Sequence, residues 1–184
     1  MKIRVIIGST RQGRVGPQVA EYVAGEVKKI EPDVKILDLA DYPMPFFDAP
    51  MPPSALAGKY EHGMVTRWSQ AVAEADAFIF IAPEYNHGIS AVLKNAIDWL
   101  WSEWAGKPAA IVSYSGGSVG GARGAEQLKL AVNEVGVLIV QHHIAMGGVR
   151  GEIPEAERQR AAKQLGQIVG ELQALDRPVT AKSE

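Results

Sequence analysis

Short apolar runs that end in glycine or small polar residues recur along this chain, and they constrain its fold more than any other feature. Residues 78–82 (FIFIA) are apolar at every position, and residues 109–113 and 137–140 are similar. A strand that is apolar throughout is typical of a parallel sheet buried on both faces, where polar and apolar positions no longer alternate. Residues 1–7 and 34–39 add two more predicted strands.

Segments with helical periodicity lie between these predicted strands. The clearest one spaces its apolar residues three or four positions apart, at Ile89, Val92, Leu93, Ala96, Ile97, Leu100 and Trp101. Similar patterns cover residues 15–30, 65–75, 125–135 and 165–175. Five strands that alternate with five helices predict an α/β fold, in which right-handed crossovers place helices on both faces of a parallel sheet.

The composition is that of an ordinary globular protein. The 184 residues, 47% hydrophobic and 22% charged, predict one domain over residues 1–175 and a frayed polar tail over residues 176–184. A net charge of −2 disfavours binding to nucleic acid, which normally requires a basic surplus. No apolar run is long enough to cross a membrane, and the first residues lack the plan of a signal peptide, so we expect a cytoplasmic protein. The absence of cysteine excludes disulfides and thiolate metal ligands.

Three candidate loops follow the first, third and fourth predicted strands, at residues 8–16, 83–88 and 115–121. The carboxyl ends of parallel strands meet at one edge of a sheet, and ligands of open α/β sheets bind beyond that edge. All three loops are rich in glycine or small polar residues, which let a ligand approach the backbone closely. We therefore expect one binding site that these three loops build together.

The first loop has the composition of a phosphate site at the start of a helix, where free backbone N–H groups favour anions. Ser9 and Thr10 offer hydroxyl donors, and Arg11 and Arg14 offer positive charge. Arg14 and Val15 stand where a nucleoside-triphosphate loop requires Lys and Ser or Thr, and the dinucleotide pattern G-x-G-x-x-G is absent. The loop therefore predicts a site for one phosphate monoester. The alternative is a capped turn with two solvated arginines.

The third loop offers a flat run of backbone, in which Gly116 and Gly117 would let a planar ring lie against the chain. The same loop also matches the G-x-S-x-G pattern of serine hydrolases around Ser118. The only acids between it and the histidines that follow are Glu126 and Glu134, on a predicted helix, so we disfavour a hydrolase. A mobile glycine-rich linker is the other alternative.

The middle loop combines a rigid turn at Pro83 with the polar groups of Glu84, Tyr85 and Asn86. Tyr85 could flank an aromatic ring, or it could cap the core at the end of its strand. Two of the four histidines are isolated, and the adjacent pair at 142–143 would point to opposite faces of a strand, so no metal site is predicted.

One connection, which we call the Pro-rich segment, covers residues 40–58 and carries five of the 11 prolines. A connection of this length inside one domain is usually functional or part of an interface. The alternative is a rigid surface excursion.

The loops together resemble those of the NADPH-dependent FMN reductase family, which includes NAD(P)H quinone, azo and chromate reductases. The resemblance covers about residues 1–150. Its matching stretches are GSTR and VG at residues 8–11 and 15–16, PEYNHG and LKNAIDW at residues 83–88 and 93–99, and SGG and GGAR at residues 115–117 and 120–123.

The resemblance implies a flavodoxin-like three-layer sandwich with strand order 2-1-3-4-5 and one non-covalent FMN. By matching position, the cofactor-binding residues would be Ser9, Thr10, Arg11, Arg14, Val15 and Gly16 at the phosphate, Pro83, Glu84, Tyr85, Asn86 and His87 along the isoalloxazine ring, and Ser115, Gly116, Gly117 and Gly120 near its pyrimidine edge. Many relatives have a small hydroxyl residue where this chain has Arg14, so we expect additional positive charge at the phosphate.

The resemblance also implies a homodimer or homotetramer with the flavin near the subunit interface. Trp99 lies off the apolar stripe of its predicted helix, which fits a position at that interface. The alternative is that Trp99 packs under the Pro-rich segment.

We hypothesise an enzyme in which a hydride passes from NADPH or NADH through bound FMN to a small acceptor in ping-pong order. The acceptor would be a quinone, free flavin, an azo compound or a metal oxyanion. The cofactor supplies the chemistry, so no side chain is predicted to be catalytic, and backbone N–H groups around Gly116 and Gly117 would stabilise the anionic reduced ring. The alternative is an FMN-binding electron carrier or redox-responsive binding protein that another enzyme reduces; carriers are usually strongly acidic, which this chain is not.

Overall fold

The computed structural model describes residues 1–56 and 58–176. Its strands are β1 (Ile3–Ile7), β2 (Val34–Asp38), β3 (Ala77–Pro83), β4 (Pro108–Tyr114) and β5 (Leu138–Met146). They form one sheet in the order β2-β1-β3-β4-β5, and all four neighbouring pairs are parallel. This is the flavodoxin-like order, so the predicted fold class is confirmed.

Helices cover both faces of the sheet. They are α1 (Gly16–Lys28), α2 (Pro53–Leu56), α3 (Gly63–Ala73), α4 (Ala91–Asp98), α5 (Ala122–Glu134) and α6 (Glu155–Leu175), with a short 3-10 helix at Leu39–Asp41. In β3, Ile79 and Ile81 pack into the core beneath α1 and α6, whereas Phe78 and Phe80 pack into the core beneath α3, α4 and α5. The apolar run at residues 78–82 is therefore buried on both faces, as predicted.

The boundaries differ from the sequence prediction mainly near the carboxyl terminus. β5 runs on to Met146, six residues beyond the predicted end at Val140, and α6 begins at Glu155 instead of near Leu165. β5 is an edge strand whose residues alternate in exposure, so half of its positions tolerate polar side chains. The short α2 was not predicted. Of the predicted tail, only Asp176 lies within the described residues.

A membrane-spanning helix is not found in the described part of the chain, since none of its helices is both long and apolar enough. The single domain over residues 1–175 stays a prediction.

The first half of the Pro-rich segment is fixed to α4 by hydrogen bonds from two side chains. The Asn95 amide accepts a bond from the Phe47 N–H (2.9 Å) and donates one to the Pro45 carbonyl (2.8 Å). The Trp99 indole N–H donates to the same Pro45 carbonyl (2.8 Å), and its ring packs edge-on against Phe47 with a centroid distance of 5.0 Å. Trp99 is only 2% exposed. The interface position expected for Trp99 is therefore wrong, because this side chain packs under the Pro-rich segment.

The carboxylate of Glu103 holds the chain just beyond the Pro-rich segment. It is 8% exposed and accepts bonds from the Tyr60 hydroxyl (2.7 Å) and the Ser69 hydroxyl (2.6 Å). Its other oxygen accepts from the Trp101 N–H (3.3 Å) and from the Ser102 hydroxyl (3.2 Å). Burial alone would raise the pKa of the Glu103 carboxyl, but the bonds it accepts outweigh burial and lower the pKa below its ordinary value of 4.5.

We expect the free-energy difference between the wild type and Glu103→Gln to depend on pH. The lowered pKa means that ionised Glu103 stabilises the fold above pH 4.5, and that this contribution is lost as the pH falls through the folded-state pKa. At pH 7 the variant should lose about 1–3 kcal/mol, because an amide N–H₂ then faces groups that donate. Urea unfolding of both proteins at pH 7 and at pH 3.5 measures the difference in their free energies of unfolding at each pH. A difference that stays constant between the two pH values would contradict this role of Glu103.

Candidate functional site

The three candidate loops lie together at the carboxyl edge of the sheet. The Ser9 hydroxyl of the first loop is 3.3 Å from the Tyr114 hydroxyl, which directly precedes the third loop. The Glu84 carboxylate of the middle loop accepts a bond from the Gly124 N–H (3.1 Å) at the start of α5. Thr10, Arg11 and Tyr85 line the same cavity. The predicted convergence of the loops is therefore confirmed.

The first loop presents a row of backbone amides. Gly8 N–H donates to the Ile81 carbonyl (2.9 Å) and Arg14 N–H to the Arg11 carbonyl (3.2 Å). Within residues 1–56 and 58–176, no protein acceptor is bonded to the other amides of this loop, namely those of Ser9, Thr10, Arg11, Gln12, Gly13, Val15 and Gly16. These N–H groups surround the start of α1, where the positive end of the helix dipole adds to them. The loop can hold an anion through its backbone.

Gly16 must lack a side chain because the first loop and β4 approach each other closely. A Cβ at this position would lie 2.9 Å from the Ser9 hydroxyl oxygen and 3.0 Å from the Tyr114 hydroxyl oxygen. Ser9 is fully buried in this contact, and burial raises the pKa of the Tyr114 hydroxyl. The contact fixes the first loop relative to the third.

The two arginines of the first loop have different surroundings. Arg14 forms an ion pair with Asp38 at the end of β2, and its buried Nε has no hydrogen-bond partner among the residues that the structure describes. Arg11 is exposed at the cavity and donates only to the Gln12 carbonyl (3.0 Å), with no carboxylate paired to it among the described residues. The charge of Arg14 is therefore balanced by Asp38, whereas the charge of Arg11 is available to a ligand.

The middle loop is a tight turn held in an unusual backbone conformation. Tyr85 and Gly88 exchange two backbone hydrogen bonds (3.0 and 2.9 Å), and the central residues Asn86 and His87 have φ angles of 51° and 65°. Positive φ values at both central positions define a type I′ turn and are unusual for residues other than glycine. The Gln127 side chain donates to the His87 carbonyl (3.1 Å) and attaches the turn to α5. Such strain at a sheet edge is typical of a binding site.

The side chain of Glu84, another predicted site residue, bonds groups of the protein. Its carboxylate accepts the bond from Gly124 and lies 3.8 Å from the Arg123 guanidinium. The Glu84 carboxylate therefore caps the N-terminus of α5 and connects the middle loop to the helix that follows the third loop.

The third loop is anchored by the segment that follows β5. Val149 N–H donates to the Ser115 carbonyl (2.9 Å), and Gly148 N–H donates to the Gly117 carbonyl (3.1 Å). The intervening Gly116 carbonyl accepts a bond from the Nε of Arg150 (2.9 Å). Three consecutive carbonyls bonded to one segment argue against a mobile linker. Ser118 is exposed and bonds no histidine in the described part of the chain, so the hydrolase alternative has no support.

A cavity of about 370 Å³ lies between the first loop, the middle loop, the Pro-rich segment and α4. The sequence did not point to several of its lining residues, which are Met44, Phe46, Ser90, Ala91, Val92 and Asn95. Phe46 is 76% exposed although its neighbour Phe47 is held by Asn95. Ser90 accepts a bond from the Leu93 N–H at the start of α4 and donates to the Gly8 carbonyl. A serine before an apolar helical pattern is an N-cap signal, which could have identified Ser90.

The adjacent histidines of β5 face opposite sides of the sheet, as predicted. The His142 ring pairs with Glu171 of α6, and the His143 ring bonds the Ser113 hydroxyl of β4 (2.9 Å). The Ser113 hydroxyl already donates to the Gly120 carbonyl (2.7 Å), so the His143 Nε2 must carry the hydrogen that joins them. This serine is therefore a structural donor to the third loop.

Comparison with known proteins adds to this geometry. A family model described as NADPH-dependent FMN reductase matches residues 1–150. The NAD(P)H-dependent FMN reductase ntnL of Nectria sp is 36% identical over an alignment of 192 residues, covering 95% of this chain and 94% of that protein. An NADPH:quinone oxidoreductase of Arabidopsis thaliana is 31% identical over 147 residues, covering 78% and 70%. The flavoenzyme FerB of Paracoccus denitrificans, an NAD(P)H:(acceptor) oxidoreductase, has a TM-score of 0.70 at 23% identity over 94% and 97% of the two chains, a likeness of fold.

Proposed function

Because this chain belongs to the NADPH-dependent FMN reductase family, we propose that it uses NAD(P)H and bound FMN to reduce a small quinone-like acceptor. The observation that carries the proposal is a cluster of first-loop amides without a protein acceptor, beside an Arg11 that no carboxylate pairs, both counted over residues 1–56 and 58–176; Arg11 lines the same cavity as Tyr85. FMN combines a phosphate monoester with a planar ring, and these are the two groups that such a cluster can bind. A relative named as an NAD(P)H-dependent FMN reductase favours this function over that of an electron carrier which another enzyme reduces.

The residues of the site fit FMN at both ends. At the phosphate end, backbone amides and the helix dipole supply an anion site, and Arg11 adds a charge-assisted donor. At the ring end, a Cβ at Gly116 or Gly117 would meet no protein atom closer than 3.4 Å, and neither residue has a positive φ. The protein's own packing therefore does not demand glycine there. A flat surface that a ring can cover gives glycine a purpose at both positions.

Bound FMN supplies two-electron transfer between a nicotinamide and an acceptor. The chain's part is to bind, orient and adjust charge. We propose that Ser9, Thr10, Arg11, Val15 and Gly16 hold the phosphate, whereas Arg14, which was predicted to add charge there, is paired with Asp38. We also propose that Pro83, Glu84, Tyr85, Asn86 and His87 line the ring, and that Ser115, Gly116, Gly117 and Gly120 lie near its pyrimidine edge. No side chain is required to transfer a proton.

A quinone is the acceptor that the cavity favours. Its walls include the apolar side chains of Met44, Phe46, Tyr85 and Val92, which suit a flat aromatic molecule. The Arabidopsis relative is named as a quinone oxidoreductase. A metal oxyanion would gain little from these walls, and we therefore rank it behind quinones.

We expect NADPH to bleach the visible absorption of the FMN-loaded protein under anaerobic conditions, because the proposed site would bring the nicotinamide against the ring. Initial rates with NADPH and 1,4-benzoquinone should then give parallel double-reciprocal lines, since both substrates would use the same space in turn. Free FMN mixed with NADPH at the same concentrations is the control.

Two outcomes would contradict separate parts of this proposal. Protein-bound FMN that neither NADPH nor NADH bleaches would exclude the reductase function and favour a carrier. Intersecting lines would exclude the ping-pong order alone. The homodimer or homotetramer and the cytoplasmic location stay predictions, and light scattering tests the first of them.

A further inference from the structure

Arg150 is an exposed residue that contacts the third loop at Gly116. Its Nε donates to the Gly116 carbonyl (2.9 Å), and its Cγ would lie 3.4 Å from a Cβ built on Gly116. In the described part of the chain no carboxylate forms an ion pair with its guanidinium. Arg150 therefore brings an unbalanced positive charge to the backbone of this loop.

The orientation of the loop amides follows from the bonds that their carbonyls make. In a planar trans peptide, the C=O of one residue and the N–H of the next point in opposite directions. The carbonyls of Ser115, Gly116 and Gly117 all bond residues 148–150, so the next N–H groups point away from that segment. Those of Gly116 and Ser118 bond no protein acceptor among the described residues, and that of Gly117 bonds only the Ser115 hydroxyl (3.3 Å).

We propose that Arg150 is a positioning residue that favours the reduced form of the bound cofactor. Its Nε–H fixes the Gly116 carbonyl, which keeps the Gly117 N–H turned away from residues 148–150, and its charge increases the attraction of the loop amides for an anion. Transfer of a hydride from NADPH leaves NADP⁺ and a two-electron-reduced ring that carries one negative charge. A fixed positive charge beside the amides stabilises that form more than the neutral oxidised form. The inference rests on the proposed function.

The test is the two-electron midpoint potential of FMN bound to the wild type, Arg150→Met and Arg150→Lys, measured by dye equilibration. Arg150→Met removes the charge and the donor, and about a tenfold loss of affinity for reduced relative to oxidised FMN is expected, which lowers the potential by about 30 mV. Arg150→Lys keeps a charge and should shift the potential by less than half as much. Lys163→Met, which removes a charge from the exposed side of α6, should leave the potential unchanged.

Two further measurements keep the outcomes distinct. Oxidised FMN should bind wild type and Arg150→Met within a factor of about three, and the melting temperature of the FMN-free variant should match the wild type, since Arg150 is exposed. If the wild type binds FMN but Arg150→Met leaves the midpoint potential unchanged, the role of Arg150 is overturned and the proposed function is not. A wild type that binds no FMN would overturn the proposed function itself.

Discussion

Replacement of Gly120 by alanine should destabilise the FMN-free protein by roughly 2–5 kcal/mol. Gly120 has a φ of 63°, and a Cβ at this position would lie 2.7–2.9 Å from backbone atoms of Ala145 and Met146 at the end of β5. The left-handed conformation costs an alanine about 1–2 kcal/mol, and overpacking against backbone adds about 1–3 kcal/mol. Urea unfolding of both proteins without FMN measures the sum.

Gly13→Ala is the matched control for this substitution. Gly13 has nearly the same φ, 65°, but a Cβ there would meet nothing within 4 Å. Its expected cost is therefore only the conformational part, about 1–2 kcal/mol. The difference between the two variants isolates the contact between the third loop and β5. Equal costs would contradict that contact.

The central strands could be predicted from the sequence because burial on both faces leaves only apolar residues in them. Residues 78–82 are such a case, and β3 pairs with β1 and β4 in the middle of the sheet. The order 2-1-3-4-5 itself came from the resemblance, since periodicity alone does not select one parallel order over another.

The end of β5 could not be predicted by the same rule, and this hid part of the site. Residues 141–146 belong to an edge strand with partly exposed positions, so a polar residue such as Gln141 looks like the start of a loop. A strand that ends at Val140 gives no reason to place the glycine-rich stretch at residues 147–151 beside the other loops at the carboxyl edge. Arg150 lies in that stretch and was missed for this reason.

The first loop could be predicted as an anion site, but the different roles of its two arginines could not. Arg11 and Arg14 are equivalent in sequence terms, and only the tertiary position of Asp38 separates them. Trp99 is a second example: it lies off the apolar stripe of its helix because it bonds Pro45, which is 54 residues away in the chain. Side-chain partners across long sequence separations are set by packing, which local periodicity does not encode.

Replacement of Arg11 by alanine should weaken FMN binding by about 1.5–3 kcal/mol, or roughly 10- to 150-fold. Arg11 has no carboxylate partner among the described residues, so its guanidinium is free to bond the phosphate without first breaking an ion pair. Isothermal titration or quenching of flavin fluorescence measures the dissociation constant. Arg11→Lys keeps the charge but not the two-pronged donor, and a smaller loss is expected for it.

Riboflavin separates the phosphate contribution of Arg11 from any effect on the ring, because it has the same ring and ribityl chain without the phosphate. Its affinity should be equal for the wild type and Arg11→Ala. An equal loss for FMN and riboflavin would mean that Arg11 acts on the cavity it lines with Tyr85 and Phe46. An unchanged FMN affinity would instead leave the phosphate to the backbone amides of the first loop, since the charge of Arg14 is already balanced by Asp38.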